Sequence, residues 1–289
     1  MERSSRTVIA NLLSFIPDKR YLQMRFFLSL KKRLNLKNPQ TYNEKIQWMK
    51  LYDRNPLYTK LVDKKEVKEY VESMKICNLN IIPTIAVWEK ADDIDLSMLP
   101  DEFVIKCTHD SGSVLVFRKK DDYSIEYVKK HFNEAMKRKQ YMAGREWAYK
   151  DVIPRIITEP FMMDDSGFGL KDYKFFCFEG KVKAFFIATD RGKKDSDVKF
   201  DFYDEYCNHL ELRHGHENAA IPPNKPEKFD EMKRIAEELS KGLRHVRVDL
   251  YDINGRIYFG EFTFYHHCGF VPFEPEKWDY VFGSWINIH

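Results

Sequence analysis

Apolar residues change their spacing twice along this chain, and each change marks a different kind of element. Up to about residue 75 they recur at helical intervals. Leu22, Phe26, Leu30 and Leu34 form one stripe of residues 21–34, with bases on the other faces. Thr41, three residues before Glu44, is the signature of a capping box and opens a helix through Trp48 and Leu51. A further helix runs from about 63 to 75.

Beyond that point the pattern turns extended. Residues 81–88 and 102–107 read as strands, the first an edge strand because of Pro83. A small polar loop, 108–113, leads into a buried strand at 114–117, and 124–142 form a charged helix. Strand-like runs follow at 155–162, 173–178 and 182–188, the last two joined by Glu179-Gly180. The segment 190–226 is polar, holds three prolines and shows no periodicity, so a long irregular loop is expected. An amphipathic helix over 226–243 then leads into a hairpin over 245–264.

That hairpin carries acids where a half-buried sheet normally carries apolar residues. A two-residue Asn254-Gly255 turn puts Asp249 opposite Gly260 and leaves Asp249 and Glu261 on opposite faces. A three-residue loop, 253–255, pairs Asp252 with Arg256 instead. Arg247, Asp249, Glu261 and Thr263 then share a face, with Arg247 across from Glu261 and Asp249 diagonal to it. This second register is preferred, because it brings two carboxylates within reach of a shared divalent cation. A solvated Arg247–Glu261 ion pair, contributing under about 1 kcal/mol, is the plainer alternative.

Composition narrows the class. With 289 residues, 43% hydrophobic and 32% charged, the chain can bury a large core as a soluble, enzyme-sized unit. Its net charge of +3 hides an asymmetry. Residues 1–37 hold nine Lys/Arg against two acids, a local +7 that leaves −4 for the remainder. Binding of nucleic acid across the surface is not implied. Peripheral contact of the basic N-terminus with an anionic membrane is a candidate, and a packed surface helix is the alternative. Five scattered cysteines without CxxC spacing read as reduced thiols. With no run of about 18 apolar residues and no signal-peptide core, a cytoplasmic location is expected.

Lys106 lies mid-strand among Val104, Ile105 and Cys107, where a lysine needs an anionic partner. It precedes Ser111-Gly112-Ser113, whose backbone amides could cradle phosphate. Taken alone, an edge-strand lysine beside a tight hairpin is the favoured account, and the phosphate reading gains weight only from the order of motifs along the chain. With one glycine the loop is not a Walker motif. His266-His267-Cys268 suggests zinc, but neighbouring histidines on a strand face opposite ways and no fourth ligand has fitting spacing. Lining an acceptor pocket is the other use for them. His214-Gly-His216 is expected to be solvated, and the Phe175-Phe176 and Phe185-Phe186 pairs to be core.

The order Lys64, Lys106 with its loop, Glu159-Pro160-Phe161, then the paired-acid hairpin resembles the ATP-grasp superfamily. In particular it is similar to the amidoligases of surface-polysaccharide gene clusters typified by teichuronopeptide biosynthesis proteins. The likeness runs from Leu36-Lys-Asn-Pro39 through Asp63-Lys64, Asp172-Tyr-Lys-Phe175 and Arg247-Val-Asp249 to Phe259-Gly-Glu261-Phe-Thr263. It implies an α+β ATP-grasp fold, two α+β lobes gripping ATP, with a helical extension over 1–75 and lobes over 76–157 and 158–289.

By the same resemblance Lys64 and Lys106 contact the phosphates, and Ser111, Gly112 and Ser113 close over them. Glu159 and Phe161 flank the adenine. Asp172, or else Asp164 or Asp165, reaches the ribose, and Lys174 adds a phosphate contact. Asp249 and Glu261 hold Mg²⁺, with Thr263 where asparagine is usual. Arg247 steadies the acyl-phosphate or tetrahedral intermediate. The implied activity joins the carboxylate of a uronic-acid sugar or glycan to an amino acid or small amine. Alternatives are a glycosyltransferase or glycan-binding accessory protein, which no clear Asp-x-Asp supports, and a sugar phosphotransferase.

Overall fold

The computed structural model describes residues 15–164, 170–189 and 197–288. The chain divides into two compact units. The first holds residues 1–16, 55–74 and 81–162, and the second holds 17–54, 75–80 and 163–289. The described residues before 75 are therefore shared between them.

In the first unit, α3 (Leu57–Val62) and α4 (Glu66–Ser73) precede a four-stranded antiparallel sheet. Its strands are β2 (Ala86–Trp88), β3 (Phe103–Cys107), β4 (Leu115–Phe117) and β5 (Ile156–Pro160), in the order β2-β5-β3-β4. Alternation along β3 sends Phe103, Ile105 and Cys107 into a core with Phe117, Val128, Phe132 and Ile156. Val104 and Lys106 take the other face. Since β5 and β4 flank it, β3 is an inner strand, and the expected edge position of Lys106 is corrected. Strand β4 holds the edge with Val116 39% exposed, so it is half-buried and not fully buried as expected. The charged helix breaks into α5 (Ile125–Met136) and α6 (Gln140–Gly144), the first capped by the Ser124 hydroxyl, which accepts from Tyr127 N.

The second unit begins with α1 (Asp18–Leu30), which buries Leu22 and Phe26 and closes where Lys31 turns left-handed. Leu34 is buried too, but outside the helix. Helix α2 (Tyr42–Tyr52) starts at Thr41 with the expected reciprocal capping box to Glu44. Its Asn43 clamps both oxygens of Asp279 on α8 (Lys277–Ser284), at 2.9 and 3.1 Å. That last helix was not foreseen.

A six-stranded sheet, antiparallel from β11 to β8, fills this unit in the order β1-β11-β10-β6-β7-β8. The strands are β1 (Leu79–Ile81), β6 (Asp172–Phe178), β7 (Lys181–Thr189), β8 (Lys199–Asp204), β10 (His245–Ile253) and β11 (Arg256–Thr263). Pro83 thus splits the expected strand 81–88 into β1 and β2, which join different sheets. The expected loop 190–226 contains β8 and β9 (Arg213–His214), whose ladder register no apolar alternation announced. One sheet face packs Phe175 and Phe185 on Phe229 of α7 (Phe229–Leu239). The other carries Phe176 and Phe186 together with Asp172, Lys174, Arg247 and Asp249.

Candidate functional site

The hairpin turn is the two-residue form. Asn254 and Gly255 both have positive φ, 53° and 80°, and Ile253 pairs with Arg256. The preferred three-residue loop is thereby corrected, yet the acids still share a face. A bulge at Gly260 lets Asp249 pair with Glu261 and Leu250 with Phe259, restoring the parity that the short turn removed. Glycine suits the bulge, because a Cβ there would stand only 3.0 Å from the Asp249 carbonyl oxygen. Arg247 faces Thr263 and not Glu261, as the sheet register sets it.

Around Asp249 the charges form a closed set. Arg247 grips it bidentately, Nε to Oδ1 and Nη2 to Oδ2, both at 2.7 Å. Lys174, opposite on β6, donates to Oδ2 and lies 3.5 Å from Asp172. Arg247 also donates to Thr263 Oγ1 at 2.9 Å and to His266 Nδ1 at 2.5 Å. Asp249 and Asp172 are fully buried. Burial alone would raise the Asp249 carboxyl, but Arg247 and Lys174 outweigh it and hold it below the usual carboxylate range. Burial pulls the Lys174 ammonium down against the attraction of Asp249. Glu261 is different. Its side chain is 47% exposed, with the Arg247 guanidinium 3.7 Å away.

An oxygen-only donor set suits a hard cation such as Mg²⁺. Glu261 is open to one, and Asp249 Oδ1 keeps a lone pair beyond the bond from Arg247. Thr263 Oγ1 already accepts from Arg247, so it would contribute least. The residues fit one such ion better than two.

The first unit gathers a second group. Lys106 Nζ and Lys68 Nζ each lie 2.6 Å from an oxygen of Glu159, which is 6% exposed. Lys106 thus has the anionic partner that its strand position demanded. Burial would raise the Glu159 carboxyl, but the two lysines prevail and lower it. Lys64 Nζ donates to the Asp110 carbonyl, and its backbone N to Thr108 O at 3.2 Å, which sets it beside the loop. Ser111 and Gly112 are exposed, Gly112 with φ 97°. Ser113 is buried, its hydroxyl donating to Asp110 and accepting from Cys107 N. Phe161 carries the Arg118 guanidinium 4.0 Å above its ring. Asp164 is half-buried, while Asp165 lies outside the described residues.

Lys68 was missed, although it sits one turn beyond Lys64. His266 was noticed, but not as the partner of Arg247. Two other expectations fail. His266 and His267 are on a tight 3₁₀ turn and not a strand, with His267 and Cys268 left-handed, so their rings lie side by side at 4.1 Å. His214 is fully buried, not solvated.

A family model described as TupA-like ATPgrasp matches residues 44–287. The chain belongs to the TupA-like ATP-grasp family. Membership confirms the α+β ATP-grasp fold expected from the sequence. No curated protein matches the chain by sequence. Solved structures resembling this TupA-like chain include D-alanine–D-alanine ligase from Bacillus anthracis complexed with ATP, at 15% identity over 70% of this chain and 53% of that one, TM-score 0.39. Another is the ATP-grasp ligase PsnB complexed with minimal precursor, Mg and ADP, at 10% identity over 76% and 57%, TM-score 0.40. D-cycloserine synthetase DcsG matches at 14% identity over 88% and 89%, TM-score 0.42. The TupA-like chain spans little more than half the length of the first two. Among the described residues no helix is long and apolar enough to cross a membrane.

Proposed function

We propose that this protein is an ATP-dependent carboxylate–amine ligase. A carboxylate oxygen attacks the γ-phosphorus of ATP, the bond to the β-phosphate oxygen breaks, and ADP leaves. The amine then attacks the acyl carbon, phosphate departs, and the nitrogen gives up a proton. The observation that carries this reading is Arg247 locked on Asp249 with Glu261 left open, within a chain matched to an ATP-grasp family over residues 44–287. Such a fixed array of cations suits the charge that builds when two anions must meet.

In this reading Lys64, Lys106 and Lys174 bind phosphate oxygens, and Ser111, Gly112 and Ser113 shield the acyl phosphate from water. The backbone around Glu159 and the ring of Phe161 flank adenine. Asp172 reaches the ribose only if its pair with Lys174 opens, so Asp164 is the alternative. Arg247 steadies the oxyanion. Glu261 and Asp249, with Thr263 contributing least, would hold Mg²⁺, which when bound neutralises phosphate charge. The donor is proposed to be the carboxylate of a uronic-acid sugar or glycan and the acceptor an amino acid or small amine, in surface-polysaccharide synthesis in the cytoplasm. That substrate class rests on the family alone.

Helix α1 exposes Met24, Phe27 and Leu28 beside the exposed bases Lys19, Arg20, Lys31 and Lys32. This combination supports peripheral contact with an anionic membrane. Arg3 and Arg6 lie outside the described residues.

Incubating the protein with ATP, uronates and amines tests the activity. ADP with a new amide supports the ligase. ADP with a phosphosugar indicates a phosphotransferase, and no nucleotide turnover a transferase or glycan-binding protein.

A further inference from the structure

Two histidine pairs far apart in the sequence meet in the second unit. One ring nitrogen from each of His214, His266 and His267 lies within 4.8 Å of the others. His214 and His266 are 0% and 2% exposed. Among the described residues, His214 Nδ1, His266 Nε2 and His267 Nε2 are buried without any hydrogen-bond partner, an arrangement that buried polar atoms rarely keep. We propose that these three histidines form a binding site for a transition-metal cation of the Zn²⁺ class.

Partners hold the second ring nitrogen of His214 and of His266. His214 Nε2 lies 3.2 Å from the Val271 carbonyl, so it donates there and leaves a lone pair on Nδ1. The His267 ring packs against the 214–215 backbone, its Nε2 2.6 Å from where a Cβ on Gly215 would stand. The chain holds His267 and Cys268 left-handed, φ 48° and 56°, and that turn puts consecutive rings on one side. Nitrogen donors without carboxylates favour zinc or copper over magnesium.

His266 needs separate proton accounting. Arg247 can only donate, so His266 Nδ1 accepts from it and the ring proton sits on Nε2. On coordination that proton leaves Nε2 and Nδ1 takes one up through solvent, with no net release. Arg247 Nη1 must then turn away, while Nε and Nη2 keep Asp249. His214 and His267 need no such exchange. The metal has no part in the proposed ligase reaction, so the site goes beyond that reading, although the two share Arg247.

The test uses the tag-free full chain stripped with chelator. Co²⁺ should give visible ligand-field bands of low-coordinate nitrogen ligation, and Zn²⁺ should compete one per chain against a chromogenic chelator. His214→Gln and His267→Gln should each weaken Zn²⁺ by about 10–100-fold, whereas His216→Gln should not. No uptake by the wild type would mean that the cluster holds only water, and would overturn the site. Equal affinity in wild type and His214→Gln would overturn it too. If the variants fail to fold, ring ¹⁵N shifts of the wild type on Cd²⁺ titration decide. Movement at His214 Nδ1 and His267 Nε2 upholds the site, and movement only at His209 or His216 overturns it.

Discussion

Asp249 stands directly opposite Glu261 although the turn between their strands is two residues long, because Gly260 bulges out of the ladder. Gly260→Ala should therefore strain the site from its backbone. The new Cβ would stand 3.0 Å from the Asp249 carbonyl. A loss of about 1–3 kcal/mol in urea unfolding is expected, together with weaker nucleotide binding. An unchanged midpoint would mean that the bulge has room to spare.

Asp249 and Glu261 should separate stability from activity. Asp249→Asn strips the buried Arg247 of its bidentate anion, for an expected cost of about 3–5 kcal/mol. Glu261, 47% exposed with Arg247 3.7 Å away, should tolerate Gln within about 0.5 kcal/mol yet lose turnover. Paired denaturation and ADP-release assays on the two variants check this. Similar unfolding midpoints would contradict it.

In the first unit, Lys106→Ala leaves Glu159 its 2.6 Å partner Lys68, so the fold should survive. Turnover should fall more than about 100-fold if Lys106 holds a phosphate whose charge grows in the transition state. ADP release at near-normal rates from a folded variant would remove Lys106 from the site.

Stability should fall in mild acid. His245 is buried, its Nδ1 2.9 Å from Cys177 O and its Nε2 3.0 Å from the Tyr42 hydroxyl, and burial lowers it to about 4. The unfolded chain, with His near 6.5, binds the proton first. Stability from His245 is thus complete above pH 6.5 and is lost as pH drops towards 4. Between pH 6.5 and 5 that amounts to about 2 kcal/mol. Urea titrations at both pH values measure it, and a flat profile would show that His245 stays solvated or protonated when folded.

Elements whose residues declare their own conformation were legible in the sequence. Thr41 with Glu44 capped a helix, the aromatic runs at 173–178 and 182–188 became β6 and β7, and Arg247, Asp249, Glu261 and Thr263 do share a face. The route to that face was not legible. Parity counting assumes an unbroken ladder, and a glycine in a strand does not announce whether it bulges. Strand β8 was hidden because its burial pattern follows sheet neighbours rather than alternation. The histidine cluster was hidden because His214 meets His266 only through the fold, and because a strand was assumed where a left-handed turn occurs. Lys68 needed the register of β3 on β5 to reveal Glu159 as a shared partner.

The central proposal is that the protein binds Mg-ATP and that Lys106 and Glu261 each contribute to that binding. Calorimetric titration of ATP with and without Mg²⁺ into the wild type, Lys106→Ala and Glu261→Gln tests this most directly. Wild type should bind one ATP with affinity that rises when Mg²⁺ is present. Lys106→Ala should bind ATP weakly under both conditions, and Glu261→Gln should lose the gain from Mg²⁺. No heat from the wild type, or three identical isotherms, would contradict the account.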